Sequence, residues 1–131
     1  MCAEINLLKN YPKSKRDLDG RSAEKTEEVR SIARQFGKDF FDGDRKYGYG
    51  GFSYNSRFWE PVIPDIINHW SLDKNSSLLD IGCAKGFFLH DLKNAIPEIK
   101  ISGIDISNYA IEKVIGSVKN NCIVADAKNI P

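Results

Sequence analysis

The stretch Leu78-Leu79-Asp80-Ile81-Gly82-Cys83-Ala84-Lys85-Gly86-Phe87-Phe88 decides the fold. A short apolar run, 78–81, enters a turn of small residues, 82–86, and leaves as a helix. That helix carries Phe88, Leu89, Leu92 and Ile96 on one face and is closed by Pro97. Residues 99–106 read as a second strand. Ser107 caps a third helical run bearing Ile111, Val114, Ile115 and Val118. Residues 122–125 read as a third strand and 126–131 as a loop. Strand–helix–strand–helix–strand predicts an α/β fold of parallel strands with right-handed crossovers. In such a sheet the first turn lies at the carboxyl edge, where ligands bind, and small residues let a ligand approach the backbone.

Upstream of this unit the texture is helical. Ser22 reads as the cap of a helix with Glu24, Glu27 and Glu28 near its start, where the dipole favours negative charge. Val29, Ile32, Ala33, Phe36 and Phe40 repeat at helical spacing, and Asp42-Gly43-Asp44 ends the pattern. The segment 45–54 reads R-K-Y-G-Y-G-G-F-S-Y, too rich in glycine for a helix interior, so it is an aromatic loop. Val62, Ile63, Ile66, Ile67 and Trp70 then mark a second amphipathic helix, with Pro61 and Pro64 in its first turns. Trp59 and Phe58 pack just before it. The resulting division is a polar arm over 1–21, a helical cap over 22–76 and an α/β unit over 77–131. Lys9, Lys13, Lys15 and Arg16 give the arm a small basic cluster, read as a solvated face.

Three ligand classes use a glycine turn of this kind. A phosphate loop needs G-x-x-x-x-G-K-[ST], and here Lys85 precedes Gly86 with no Ser or Thr after it. A dinucleotide turn needs G-x-G-x-x-G, and the second and third glycine positions hold Ala84 and Phe87. The third class binds S-adenosylmethionine. Residues 78–86 resemble motif I of the class I S-adenosylmethionine-dependent methyltransferases, [VIL]-[VIL]-D-x-G-x-G-x-G, with Ala84 in place of the middle glycine. Gly103-Ile104-Asp105-Ile106-Ser107 resembles the end of that family's second strand, and Asp105 lies 19 residues after Gly86. Ala125-Asp126-Ala127-Lys128-Asn129-Ile130-Pro131 resembles its G-D-A-x-x-L-P loop after strand three.

The resemblance implies a Rossmann-like domain and methyl transfer from S-adenosylmethionine to an acceptor. It implies that Asp80 helps hold the methionine end and that Gly82, Cys83, Ala84, Gly86 and Ile106 also bind the cofactor. Asp105 would meet the ribose hydroxyls, and Asp126 and Ala127 the adenine. The chemistry agrees, because the cofactor carries a sulfonium and an ammonium, and three carboxylates at successive strand ends suit a cation. The stretch F-F-D-G-D-R-K-Y-G-Y-G-G-F, residues 40–52, resembles the stretch ahead of the core in bacterial methyltransferases whose amino-terminal helices cover the cofactor. It makes Tyr47 and Tyr49 candidates for contacts to the methionine end or the acceptor. A loop of this kind can close over a ligand and exclude water.

Plainer readings stand beside these. Asp80 could cap the turn, Asp105 could favour the next helix start, and Asp126 could be a loop residue. As a thiol, Cys83 reads as a small buried filler with no base to make it a nucleophile. Lys85 reads as solvent-facing. His69, His90, Trp59 and Trp70 read as structural or surface residues.

Family sheets have seven strands in the order 3-2-1-4-5-7-6, and this sequence supplies three. The expectation is a Rossmann-like fold truncated after strand three, with strand one as an edge through which the chain self-associates or a partner completes the sheet. No general base is assigned. The 131 residues contain 19 basic and 18 acidic side chains, so the surface lacks the excess charge of a phosphate-tracking protein. A small-molecule acceptor, a saccharide or another metabolite, is expected rather than nucleic acid. Three cysteines with no C-x-x-C pair exclude a disulfide framework and argue against a metal site. No apolar run reaches the length of a membrane span, and no secretion signal opens the chain, so the expected location is cytoplasmic. Two alternatives remain open: a catalytically incompetent fragment that binds S-adenosylmethionine, and an NAD-dependent oxidoreductase with a degenerate glycine turn.

Overall fold

Strand β1 (Ser77–Ile81) pairs in parallel with β2 (Lys100–Asp105), which pairs in parallel with β3 (Cys122–Val124). The order is β1-β2-β3, so β1 is an edge. These strands belong to a computed structural model that describes residues 2–14 and 18–131. Lys15 and Arg16 of the basic cluster lie outside the described residues.

Side chains alternate across a strand, so register sorts them by face. Leu78 lies opposite Ile101, and Asp80 opposite Gly103, which pairs on with Cys122. This face is covered by helices α5 (Ile63–Trp70) and α6 (Phe87–Ala95) and by the chain after α7 (Asn108–Glu112). Leu89 and Leu92 of α6, Ile63 of α5, and Val114 and Val118 form one core with Ile101, Cys83 and Cys122. Leu89 and Leu92 are fully buried, and each such side chain stabilises the fold by about 2 kcal/mol. Gly103 is required by this packing. A Cβ there would sit 2.8 Å from Cys83 Sγ and 2.9 Å from Leu89 Cδ1.

The cap differs from the expected single helix. It divides into α1 (Leu18–Ala23), α2 (Glu27–Ala33) and α3 (Lys38–Asp42). Thr26, not Ser22, caps α2 by accepting from the Val29 N–H. The break before α3 follows from Phe36, which adopts φ 50°, and from Gly37 at the next cap. A short helix, α4 (Ser56–Trp59), precedes α5. Trp70 is more exposed than an apolar-face residue should be, at 55%. The third helical run is also shorter than its periodicity suggests. After α7 the chain turns at Lys113, and the Ile115 N–H donates to the Lys85 carbonyl at 2.9 Å rather than continuing the helix. A 3₁₀ segment, Gly116–Asn121, then leads into β3.

Candidate active site

The turn after β1 is built on the end of β2. The N–H groups of Gly82 and Cys83 both donate to the Ile104 carbonyl, at 2.8 and 3.0 Å. Asp105 closes the arrangement with both oxygens. Oδ2 accepts from the Ala84 N–H at 2.8 Å, and Oδ1 accepts from the Ser107 N–H at 2.9 Å. Ala84 holds the left-handed φ of 49° that a glycine would take without strain. Each Asp105 oxygen keeps a second lone pair, so the carboxylate can still accept from a ligand hydroxyl.

A cavity of about 350 Å³ opens at these strand ends. Its floor includes Gly82, Ala84, Asp105, Ile106, Asp126 and Ala127, and its far wall is Phe36, Phe40, Phe41 and Tyr49 of the cap. Asp126 accepts from the Lys128 N–H through Oδ1, which fixes the loop and leaves Oδ2 free. The Ala127 N–H has no partner among the described residues. A second cavity, of about 370 Å³, shares Tyr49, Gly82 and Ala84 with the first and adds Asp80, Cys83, Trp59 and Phe88.

Asp80 is half-buried and has neither a hydrogen-bond donor nor a cation beside it among the described residues. Burial, and secondarily the Asp105 carboxylate, push its pKa above the usual range. An unpaired acid next to another acid, in the wall of the second cavity, is a place for a cation. Tyr49 stands at the junction of the two cavities, its ring stacked on Phe52 at 4.4 Å and on Phe41 at 5.7 Å. Burial raises its phenol pKa, with smaller contributions from Tyr11 and Asp105, so it stays a neutral donor.

Two expected site residues line neither cavity, and a third, Cys83, lines one of them from the core. Gly86 lines neither cavity; it has φ +79°, and a Cβ there would come 2.9 Å from Val118 Cγ2, so its part is to let α6 pack. Tyr47 ends a 3₁₀ turn, Arg45–Tyr47, capped by Asp44, with the Lys46 ammonium 5.1 Å from its ring centre, and it lines neither cavity. Cys83 is buried in the core and lines only the second cavity. Burial and a hydrogen bond with Cys122 push its thiol pKa far up, the hydrogen bond most, which makes it inert.

Lys85 is not solvent-facing but 7% exposed. Its Nζ donates to Asp42 Oδ2 and to the Phe52 carbonyl, each at 2.7 Å. Tyr109 donates to the same Asp42 oxygen at 2.5 Å. Burial alone would raise the Asp42 pKa; the bonds from Lys85, Tyr109 and the Phe52 N–H outweigh it and bring it down to about 2. This cluster ties the glycine turn to the cap, and Ser107 Oγ adds a tie to the Phe36 carbonyl at 2.5 Å. Sequence periodicity places Phe36 and Phe40 on a helix face, assigns Phe41 no part in it, and carries no sign that the three wall a site. The density of Phe and Tyr over 36–54 is the available signal.

Residues 72–124, which hold the turn, all of β1 and β2, and β3, match the family model described as a methyltransferase domain. A similar solved structure is the crystal structure of MccD protein, at 30% identity over 53% of this chain and 33% of that one, with a TM-score of 0.47. The present chain thus spans about a third of that protein's length. Comparison with curated proteins finds no match. The matched segment contains Asp80 and Asp105, while the aromatic wall facing them comes from outside it, on the cap.

Proposed function

We propose that the chain binds S-adenosylmethionine across the two joined cavities and serves methyl transfer to a small-molecule acceptor. The observation that carries this reading is Asp80: an unpaired, half-buried carboxylate beside Asp105, at the turn of a methyltransferase-domain segment. The residues fit the cofactor's chemistry. Asp80 answers its positive charge. The spare lone pairs of Asp105 suit the ribose hydroxyls. The free Oδ2 of Asp126 and the unpartnered N–H of Ala127 suit the amino group and a ring nitrogen of adenine. Ile81, Ile104 and Ile106 supply apolar surface beside the ring.

When bound, the cofactor supplies a methyl carbon on a sulfonium: an acceptor lone pair forms the new bond to carbon as the carbon–sulfur pair returns to sulfur. The protein's part is to place the two reactants and keep water out. Tyr49, Phe41 and Phe52 supply that cover, and the Lys85–Asp42–Tyr109 cluster holds it against the turn. No acid or base is needed unless the acceptor is poorly acidic.

Calorimetric titration with S-adenosylhomocysteine, NAD and NADP tests the proposal. Heat with S-adenosylhomocysteine alone is the expected result. Heat with NAD alone would replace the reading with an oxidoreductase.

A further inference from the structure

A third cavity, of about 280 Å³, adjoins the second, sharing Tyr49, Phe52, Trp59 and Phe87 with it. Its size is at the small end for a ligand site, enough for one ring and its substituents. Its aromatic lining falls into two packed groups. Tyr11 lies against Phe58 at 5.6 Å and Trp59 at 5.1 Å. Phe52 lies against Tyr49 at 4.4 Å and Phe87 at 4.8 Å. No ring pair joins the two groups among the described residues, and the cavity lies between them. A flat group entering it would meet aromatic surface on both sides, an arrangement each such contact favours by about 1 kcal/mol.

The polar lining is one-sided in charge. Arg45 and Arg57 both border the cavity, with Ser14, Ser53 and Asn55, and no acid does. Neither arginine makes an ion pair among the described residues, whereas Arg34 on α2 is matched to Glu27. Arg45 uses one N–H on the Tyr49 carbonyl at 2.8 Å, leaving the rest of its guanidinium free. Arg57 lies over the Phe58 ring, 4.7 Å from its centre, held by no carboxylate. A guanidinium fork seated on an aromatic wall is shaped for a carboxylate at the end of a planar ligand.

We infer that this third cavity is the acceptor subsite, and that the acceptor is a small planar ring bearing a carboxylate. The inference rests on the cofactor placement proposed above, because the shared residues Tyr49, Phe52 and Phe87 would then put the acceptor's ring next to the methyl-bearing end. The carboxylate anchors on Arg57 and Arg45. The ring slots between the aromatic groups, and a nucleophilic substituent on its far side faces the second cavity. The substituent's lone pair takes the methyl group, and its proton leaves to water.

The test is binding of benzoate, benzyl alcohol and acetate to the full 131-residue chain saturated with S-adenosylhomocysteine, read by ligand-detected NMR and by fluorescence of Trp59 and Trp70. Benzoate is expected to bind, with benzyl alcohol and acetate each about tenfold weaker, because each lacks one half of the recognition. Arg57→Gln is expected to weaken benzoate about tenfold, with Arg57→Lys in between, and to leave S-adenosylhomocysteine affinity unchanged. Arg57 is exposed, so these variants should fold. Benzyl alcohol binding as well as benzoate, or benzoate indifferent to Arg57→Gln, would overturn the inference. If S-adenosylhomocysteine itself does not bind, the cofactor reading fails instead. The benzoate arm, repeated on the free chain, then still decides whether the cavity takes a planar anion.

Discussion

Asp80 concentrates a conflict between stability and binding. In the free protein its proton is held more tightly than in the unfolded chain, through burial first and the Asp105 carboxylate second. Its contribution to stability is therefore greatest below the ordinary carboxylate pKa and is lost as pH rises through the raised value. At neutral pH the charged form weakens the empty fold, and a bound cation would reverse that. Asp80→Asn should raise the thermal midpoint of the unliganded chain while weakening S-adenosylhomocysteine about tenfold, read by calorimetry on the same samples. A variant that loses stability and keeps affinity would show that Asp80 serves the turn and not a ligand. Asp105 is a different case. Its carboxylate already holds the Ala84 and Ser107 N–H groups, so replacing it disturbs turn, strand end and α7 together.

At the scale of elements, the notable coupling is between the glycine turn and the cap. Lys85 and Asp42 lie 43 positions apart in the chain, yet their bond fixes where α3 and the aromatic loop sit. The Asp42 pKa of about 2 lies below that of an unfolded aspartate, so the stabilisation is complete above about pH 4. It is lost as pH falls toward 2. Urea midpoints measured from pH 5 to pH 2 should therefore drop more steeply for the native chain than for Asp42→Asn. The cluster's share should be on the order of 2 kcal/mol. Parallel curves for the two proteins would show that the cluster contributes nothing. The same turn shortens α7: the Lys85 carbonyl takes the Ile115 N–H that a longer helix would have bonded internally.

Across the whole molecule the sheet is covered on one face. Leu79 is 43% exposed, Ile81 52% and Ile123 49%, and these lie on the other face, with the open backbone edge of β1 beside them. Parallel sheets ordinarily have both faces buried, and an apolar edge strand readily pairs with another chain. Sedimentation velocity at rising concentration should show self-association of the chain, and Leu79→Lys should return it to monomer. A native chain that stays monomeric throughout would show that the bare face and edge are tolerated. Among the described residues no helix is long and apolar enough to cross a membrane.

The elements of the α/β unit were legible because their signals are local. Alternation, a small-residue turn, Ser107 at a cap and Pro97 after a helix each act within a few residues. The same locality puts Asp80, Asp105 and Asp126 at the carboxyl ends of three strands. What the chain could not disclose along its length was partnership between distant segments. Lys85 reads as exposed along the sequence because its partner, Asp42, reaches it only through the fold. Tyr47 and Tyr49 looked equivalent two residues apart. The capped turn at Asp44 separates them, turning one toward Lys46 and leaving the other between two cavities. Local backbone preference thus determined the strands, the turn and their acids. Only tertiary packing decided which aromatic rings and which lysine close over them, because those contacts depend on bonds made by residues dozens of positions away.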